Sequence, residues 1–229
     1  MQATFWHEMW ASGVVGFHQT EVNPFLSEYW QALGLTGDET VLVPLCGKSL
    51  DMLWLAEQGH TVLGVELSQQ ALDEFLIENK LAKDRYIENQ VGESKKIESQ
   101  VTVHPVQHEH YCGYQLEGMT LLCGDFFHLS AKDCQTVKAV YDRAAIVALP
   151  AELRAQYVAH LRAMLPKGTR YLMVTMAYDQ ALVAGPPFSV PEAEVYQLFS
   201  GVHSIRKLHE ECFVRKEVTR TEMVFVVET

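Results

Sequence analysis

Three features that would assign this chain to other protein classes are missing from its sequence. No apolar run approaches the roughly 20 residues that span a bilayer, and the N-terminal residues do not follow the basic-then-apolar order of a signal peptide. The five cysteines include no CxxC pair, so reduced thiols are favoured over a disulfide framework. We therefore expect a cytoplasmic globular protein without membrane contact.

Positive charge is also scarce. The chain has 18 lysines and arginines against 29 acids, a formal net charge of −11. Because nucleic-acid binding needs a concentrated basic surface, this balance disfavours a nucleic-acid partner and fits small-molecule partners. The 229 residues show no repeat and no linker, which predicts a single domain over residues 1–229.

What the sequence does contain is a complete β-α-β unit between Val41 and Ser68. The apolar run at 41–43 is typical of a buried parallel strand, and a turn at 44–49 leads into apolar residues at helical spacing. A second apolar strand ends on Glu66. In such units the first turn receives the ligand and the acid binds ribose hydroxyls, so we expect a nucleotide or nucleoside site.

Two rival nucleotide sites lack their defining glycines. A phosphate-binding P-loop that ends at Gly47-Lys48-Ser49 needs a glycine at position 42, which is Leu42. A nicotinamide dehydrogenase needs G-x-G-x-x-G, and this turn has a single glycine. A non-enzymatic nucleoside sensor stays open as the alternative from another class.

Residues 1–35 are rich in aromatic side chains and predict two short helices, one around Trp6 and Trp10 and one that starts at Asn23-Pro24. Either these rings pack the helices onto the sheet or they line a pocket for a flat or cationic ligand. Both interpretations stay open, and they are compatible.

Two later strands end on polar pairs. Asp125-Phe126 follows a hairpin predicted over 111–123, and it either offers an acceptor and a ring to an adenine or starts a turn. Asp142-Arg143 ends a buried strand, where it either faces a ligand or forms a structural ion pair.

The polar segment 81–112 predicts a surface insertion. His104, His108 and His110, with Cys112 close behind, raise the question of a metal site. Zinc sites usually have tighter ligand pairs and supporting acids. We therefore expect exposed loop histidines and no metal.

Six stretches carry a family likeness: FWHEMW (5–10), GFHQTEVNP (16–24), VLVPLCGKSLDMLWLAEQGHTVLGVELS (41–68), LLCGDFF (121–127), YDRAAIVALP (141–150) and GPPFSVP (185–191). Together they resemble the bacterial branch of the thiopurine S-methyltransferase family. The resemblance implies a class I S-adenosylmethionine-dependent methyltransferase. Its expected α/β fold is a doubly wound Rossmann-like sheet, mostly parallel with one antiparallel C-terminal strand, with helices on both faces and a helical cover over 1–35.

The resemblance also implies which residues bind ligands. Carried over by position, the cofactor contacts are Trp6, Trp10, Phe17, Leu45, Glu66, Asp125, Phe126 and Arg143. The acceptor contacts are Phe17, Arg143 and Pro187. Methyl transfer from a sulfonium needs alignment more than proton chemistry, so we expect Arg143 to be catalytic, either by favouring a thiolate or by orienting the acceptor's ring.

The implied reaction converts S-adenosylmethionine to S-adenosylhomocysteine and methylates the sulfur of thiopurines or other aromatic or heterocyclic thiols. Selenium or tellurium species are further acceptors within this class. Both the 81–112 segment and the C-terminal tail depart from the family pattern on the acceptor side. A monomer is expected.

Overall fold

The computed structural model describes residues 3–13, 15–81, 87–88, 94–95 and 103–229. Its strands are β1 (Thr40–Pro44), β2 (Thr61–Glu66), β3 (Ile87–Glu88), β4 (Ser94–Lys95), β5 (His104–Gln107), β6 (Cys112–Leu116), β7 (Met119–Cys123), β8 (Val137–Arg143), β9 (Arg170–Ala177), β10 (Ser204–Arg215) and β11 (Val218–Glu228). Its α-helices are α1 (Ala3–Ala11), α2 (Pro24–Tyr29), α3 (Asp51–Glu57), α4 (Gln69–Glu78), α5 (Ala151–Met164) and α6 (Glu192–Leu198). None of the helices in these ranges is long and apolar enough to cross a membrane.

Nine strands form one sheet in the spatial order β10-β11-β9-β8-β1-β2-β7-β6-β5. The five central strands, from β9 to β7, pair in parallel. After β1 the chain builds outward through β2 to β7 and then returns to the other side of β1 with β8. Such a reversal opens a crevice at the carboxyl ends of the strands, which is where open α/β sheets bind ligands.

Antiparallel strands flank this parallel centre on both sides. β11 runs antiparallel to β9, as predicted for the C-terminal strand, and β10 completes the hairpin. On the opposite side, β6 runs antiparallel to β7, which confirms the hairpin predicted over 111–123. A separate two-stranded ladder joins β3 and β4.

The central strands bury side chains on both faces of the sheet. Leu42 packs on the face that is covered by α5 and α6, in the same core as Tyr157. Val41 and Val43 pack on the other face, with Leu72 of α4. Burial on both faces explains why β1 is a continuous apolar run in the sequence and lacks a period of two.

The residues before β1 are anchored by Asn23, which caps α2. Its side chain accepts a hydrogen bond from the Phe25 N–H at 3.0 Å, and its own N–H donates to Asp51 Oδ1 at 2.8 Å. Nearby, the Trp30 indole donates to His60 Nε2 at 2.9 Å. The start of the second N-terminal helix at Asn23-Pro24 is thereby confirmed.

The insertion predicted at 81–112 stays a prediction, because residues 82–86, 89–93 and 96–102 lie outside the described ranges. Within the described part, residues 104–107 form the edge strand β5 and pair with β6.

Candidate active site

A cavity of about 910 Å³ opens at the carboxyl ends of the central parallel strands. This volume lies towards the upper end of the range of about 300–1,000 Å³ for small-molecule sites. The cavity is bordered by all nine residues that the sequence predicted for ligand contact: Trp6, Trp10, Phe17, Leu45, Glu66, Asp125, Phe126, Arg143 and Pro187. Tertiary structure therefore brings together residues that are spread over more than 180 positions of the chain.

The turn after β1 contains two residues with positive φ angles, one on either side of Cys46. Leu45 and Gly47 have φ angles of 48° and 54°, in the left-handed region that a residue with a β-carbon avoids. The Cys46 N–H between them donates to the Val65 carbonyl at 3.0 Å, which ties the turn to β2. This conformation aims the Gly47 N–H at the end of β2.

Glu66 receives that N–H and is the central acid of the site. It is 6% exposed, and its two carboxylate oxygens accept from the Gly47 N–H and the Ser68 N–H, each at 2.9 Å. Burial raises the pKa of this carboxyl, against the opposing effect of the N–H donors. Because each carboxylate oxygen has two lone pairs, both keep one for the hydroxyls of a ligand.

Lys48 has no role like that of a P-loop lysine. Its ammonium is held by Glu74 at 2.8 Å and Glu78 at 2.6 Å, both on α4. The side chain is 8% exposed, so this ion pair fastens the turn to α4. The phosphate-binding alternative is therefore disfavoured by geometry as well as by the missing glycine.

Aromatic rings from the N-terminal cover close one side of the cavity. Trp10 is 3% exposed, and its carbonyl accepts from the Gln70 amide on α4 at 3.1 Å. Phe17 meets Trp6 and Trp10 edge to face, with ring centroids 5.9 and 5.3 Å apart. The packing interpretation is thereby confirmed, and because the rings also border the cavity, their contact with a ligand stays a prediction.

Asp125 and Phe126 form a turn at the end of β7. The Asp125 carboxylate accepts from the Phe127 N–H at 2.9 Å and so caps a short 3-10 helix. The Phe126 ring is buried, with its centroid 5.1 Å from that of Tyr157. Both residues border the cavity, and the turn-starting alternative is confirmed.

Asp142 and Arg143 lie on opposite faces of β8 and do not pair with each other. Asp142 is fully buried and accepts from the Ile146 N–H at 3.0 Å and from the Tyr157 hydroxyl at 2.8 Å. Burial raises its pKa to about 6. Arg143 borders the cavity, and its guanidinium has no hydrogen bond or ion pair within the described ranges.

Arg220 on β11 also borders the cavity, and sequence reasoning missed it. It is 7% exposed, and its guanidinium lies 5.2 Å from the centre of the Tyr178 ring. Its Nε is buried without a hydrogen-bond partner among the described residues. The strand pattern did not single it out, because Glu222 alternates onto the same face of β11.

Three further residues at the cavity were missed as well. Arg215 and Lys216 come from the tip of the β10–β11 hairpin. His18 comes from the N-terminal cover, where burial, followed by the charges of Lys48 and Arg143, lowers its pKa. This lowering favours the neutral form of the imidazole.

The loop at 185–187 forms a wall that is held from two sides. The Tyr178 hydroxyl donates to the Pro187 carbonyl at 2.5 Å, and the Phe188 N–H donates to the Val147 carbonyl at 2.6 Å. The peptide bonds Gly185-Pro186 and Pro186-Pro187 are both cis. Pro186 and Pro187 border the cavity.

The histidines of the 104–112 region lie apart from this cavity. His108 pairs with Asp133 at 3.1 Å, and His110 stacks on His128 with ring centroids 4.8 Å apart. No group of three or more histidine, cysteine or acidic side chains suited to a metal occurs in the ranges that the structure describes.

Solved structures share this fold. A 1,6-didemethyltoxoflavin-N1-methyltransferase from Burkholderia thailandensis, which has bound S-adenosylhomocysteine, is 14% identical with a TM-score of 0.60, over 99% of this chain and 87% of that chain. Magnesium protoporphyrin IX methyltransferase from Synechocystis is 12% identical with a TM-score of 0.60, over the whole of both chains. The architecture is therefore that of the class I S-adenosylmethionine-dependent methyltransferases.

Sequence comparison identifies the family within this class. The chain belongs to the thiopurine S-methyltransferase (TPMT) family, whose model matches residues 1–228. A thiopurine S-methyltransferase of Pseudomonas entomophila is 49% identical over 88% of this chain and 84% of its own. Another, from Pseudomonas fluorescens, is 43% identical over 97% of this chain and 96% of its own. The protein is thus an S-adenosylmethionine-dependent methyltransferase, and the sensor alternative is not favoured.

Proposed function

We propose that the protein methylates the sulfur of thiopurines or of other aromatic and heterocyclic thiols and releases S-adenosylhomocysteine. Selenium and tellurium species are soft nucleophiles like thiolates, so we propose them as further acceptors. One observation carries the proposal: a single cavity has an acid suited to ribose at one end and two arginines, Arg143 and Arg220, at the other. The names of the 43–49% identical relatives support the same activity.

The cofactor end of the cavity fits S-adenosylmethionine. The lone pairs that remain on Glu66 suit ribose hydroxyls, and the left-handed turn at Leu45 brings the backbone of residues 45–47 close to them. Trp6, Trp10 and Phe17 supply aromatic rings, and the faces of such rings attract a cationic sulfonium. We assign the adenine side to the turn that contains Asp125 and Phe126, which borders the same space.

When bound, S-adenosylmethionine supplies a methyl group that its sulfonium has already activated. The chain's own residues then have to exclude water, align the acceptor and keep it in its nucleophilic form. A thiol reacts as the thiolate, so a nearby unpaired cation increases the reactive fraction. We assign this catalytic role to Arg143, and we propose that it also contacts the cofactor.

The acceptor end adds three supporting roles. Arg220 supplies a further positive charge, which is buried, Pro187 and Phe17 wall the acceptor, and His18 lines the same space as a hydrogen-bonding group. These assignments predict that acceptors enter or react as anions.

We also propose that residues 1–229 form one domain, that the protein is a monomer, and that it acts in the cytoplasm. One sheet contains strands from residue 40 to residue 228, which supports the single domain. The five unpaired cysteines fit a reducing compartment.

Calorimetry followed by a turnover assay tests the function. S-adenosylmethionine is titrated into the full chain, and release of S-adenosylhomocysteine is then followed with a thiopurine, a simple aromatic thiol, selenite and an aromatic alcohol. We expect binding, and turnover with the thiols. Binding without product from any sulfur or selenium acceptor would refute the proposed reaction and leave a sensor.

A further inference from the structure

Cys112 and Cys123 stand directly opposite each other in the antiparallel register of β6 and β7. Their side chains share the face of the sheet that carries α4: the Cys112 thiol lies 3.4 Å from Gln69 Oε1, and the Cys123 thiol lies 3.6 Å from the Leu67 carbonyl. Opposite residues in such a pair have Cα atoms about 4.5–5.5 Å apart. That spacing lies inside the range of about 4.4–6.8 Å found for disulfides.

The two cysteines face each other across the ladder, and they differ in exposure. Burial raises the pKa of the Cys123 thiol to about 12, with further contributions from the charge of Cys112 and from a hydrogen bond with its thiol. Cys112 is exposed, whereas Cys123 is half-buried. A reagent from solution therefore reaches Cys112 first, and Cys123 is its register partner on the neighbouring strand.

A glycine beside each cysteine allows the chain to pack unusually closely here. A β-carbon at Gly113 would lie 2.0 Å from the Leu121 carbonyl oxygen on the facing strand. A β-carbon at Gly124 would lie 2.6 Å from the Tyr111 ring. Backbone and ring atoms therefore approach closely on either side of the Cys112–Cys123 pair, where only glycine leaves room for them.

We propose that Cys112 and Cys123 are a dithiol modification site, which hydroperoxides or low-molecular-weight disulfides convert into a cross-strand disulfide. With a hydroperoxide, the Cys112 thiolate attacks the terminal oxygen, the O–O bond breaks, and a sulfenic acid forms as the alcohol or water leaves. The Cys123 sulfur then displaces the hydroxyl group, an S–S bond forms, and water leaves. The two thiols lose two electrons and two protons, and the hydroperoxide gains them.

The site connects to the cofactor end of the cavity through the backbone. Cys123 is the register partner of Glu66, and the next N–H, that of Gly124, donates to the Glu66 carbonyl at 2.9 Å. The turn that contains Asp125 comes directly after Gly124 in the sequence. A bond to Cys112 draws the Cys123 sulfur away from the Leu67 carbonyl, and Leu67 itself borders the cavity. Oxidation is therefore expected to weaken cofactor binding, on the order of fivefold.

The test uses the full reduced chain, treated with hydrogen peroxide or with oxidised glutathione. Intact-mass analysis should show the loss of two hydrogen atoms, and peptide mapping should join Cys112 to Cys123. Cys112→Ser and Cys123→Ser should each abolish the link. Cys212→Ser is the matched control, because Cys212 is an exposed cysteine on the distant β10 strand, and this variant should keep the link.

Cofactor affinity supplies the second measurement, with calorimetry of S-adenosylmethionine before oxidation, after oxidation and after dithiothreitol. We expect the dissociation constant to rise on oxidation and to recover on reduction, in wild type and Cys212→Ser alike. The proposal is overturned if peroxide converts Cys112 to sulfinic acid without a link to Cys123. It is equally overturned if the link forms while the affinity of the linked protein stays unchanged, since the site then has no connection to binding.

Discussion

The indole ring of Trp10 packs against the backbone of Gly47. A β-carbon built on Gly47 would lie 3.3 Å from Cζ2 of that ring, closer than ordinary van der Waals contact. The N-terminal cover and the turn after β1 therefore pack closely against each other at Gly47, whose N–H donates to Glu66.

Gly47→Ala should reduce both stability and cofactor affinity. The φ of 54° costs an alanine about 1–2 kcal/mol, and the new methyl group pushes on Trp10. Gly118→Ala is the matched control, because its φ is 70° and its added β-carbon meets nothing within 4 Å. Urea unfolding should show a loss in both variants, whereas calorimetry of S-adenosylmethionine should show weaker binding only for Gly47→Ala. Equal affinity in the two variants would mean that the Trp10 contact has no part in binding.

Glu66→Gln should weaken S-adenosylmethionine binding on the order of 10- to 100-fold, the loss expected when charge-assisted hydrogen bonds are removed. The amide nitrogen would also face one of the two backbone N–H donors, from Gly47 or Ser68, that the carboxylate now accepts. Glu57→Gln provides the control, since Glu57 is an exposed acid at the end of α3. If calorimetry gives wild-type affinity for Glu66→Gln, the ribose assignment is wrong.

Arg143→Ala should lower kcat/KM with a thiol acceptor by about 10- to 100-fold, because an unpaired cation that favours the thiolate is lost. The pH profile of kcat/KM should move to higher pH, since the acceptor then needs more hydroxide to ionise. Most of the cofactor affinity should remain. Arg206→Ala, an exposed arginine on β10 outside the cavity, should leave both measurements unchanged. An Arg143→Ala profile that keeps its wild-type pH dependence would contradict the catalytic role.

Asp142→Asn should flatten the dependence of stability on pH. Folding raises the Asp142 pKa from 3.8 to about 6, so the folded protein holds this proton more tightly than the unfolded chain does. Its contribution to the free energy of unfolding therefore falls as pH rises from about 4 to about 6, by about 2 kcal/mol between pH 4.5 and pH 7.5. Asparagine can keep both partners, accepting from the Ile146 N–H and donating to the Tyr157 oxygen.

Urea unfolding of wild type and Asp142→Asn at those two pH values measures the difference. The free energy of unfolding of Asp142→Asn minus that of wild type should be larger at pH 7.5 than at pH 4.5. Parallel behaviour of the two proteins would show that Asp142 titrates alike in the folded and unfolded chains.

The core β-α-β unit was predictable because its signals are local. A short apolar run, a turn with one glycine and an acid at the next strand end define the unit within 28 residues, and parallel strands put their carboxyl ends at one edge. Glu66 could therefore be placed at a ligand site from the sequence. The family resemblance added the more distant residues, such as Phe17 and Pro187, and all of them border the same cavity.

Arg220 and Lys48 show where sequence reasoning ends. Arg220 comes from the antiparallel strand β11, and only the pairing of β11 with β9 brings it to Tyr178 and to the cavity. Lys48 follows Gly47 in the turn that was predicted to receive the ligand, yet its ammonium pairs with two acids of α4, at residues 74 and 78. The spacing of neighbouring residues in the sequence indicates neither the partner of Arg220 nor the partners of Lys48.

The sequence by itself determined the order of elements, the strand ends that carry polar residues and the family of the chain, because periodicity, turn chemistry and motifs are properties of neighbouring residues. Tertiary structure decided which side chains share a space. It separated Asp142 from Arg143 across the two faces of β8, packed Trp10 onto Gly47 and set Cys112 opposite Cys123. Those outcomes depend on register and on the packing of distant elements, which local patterns do not encode.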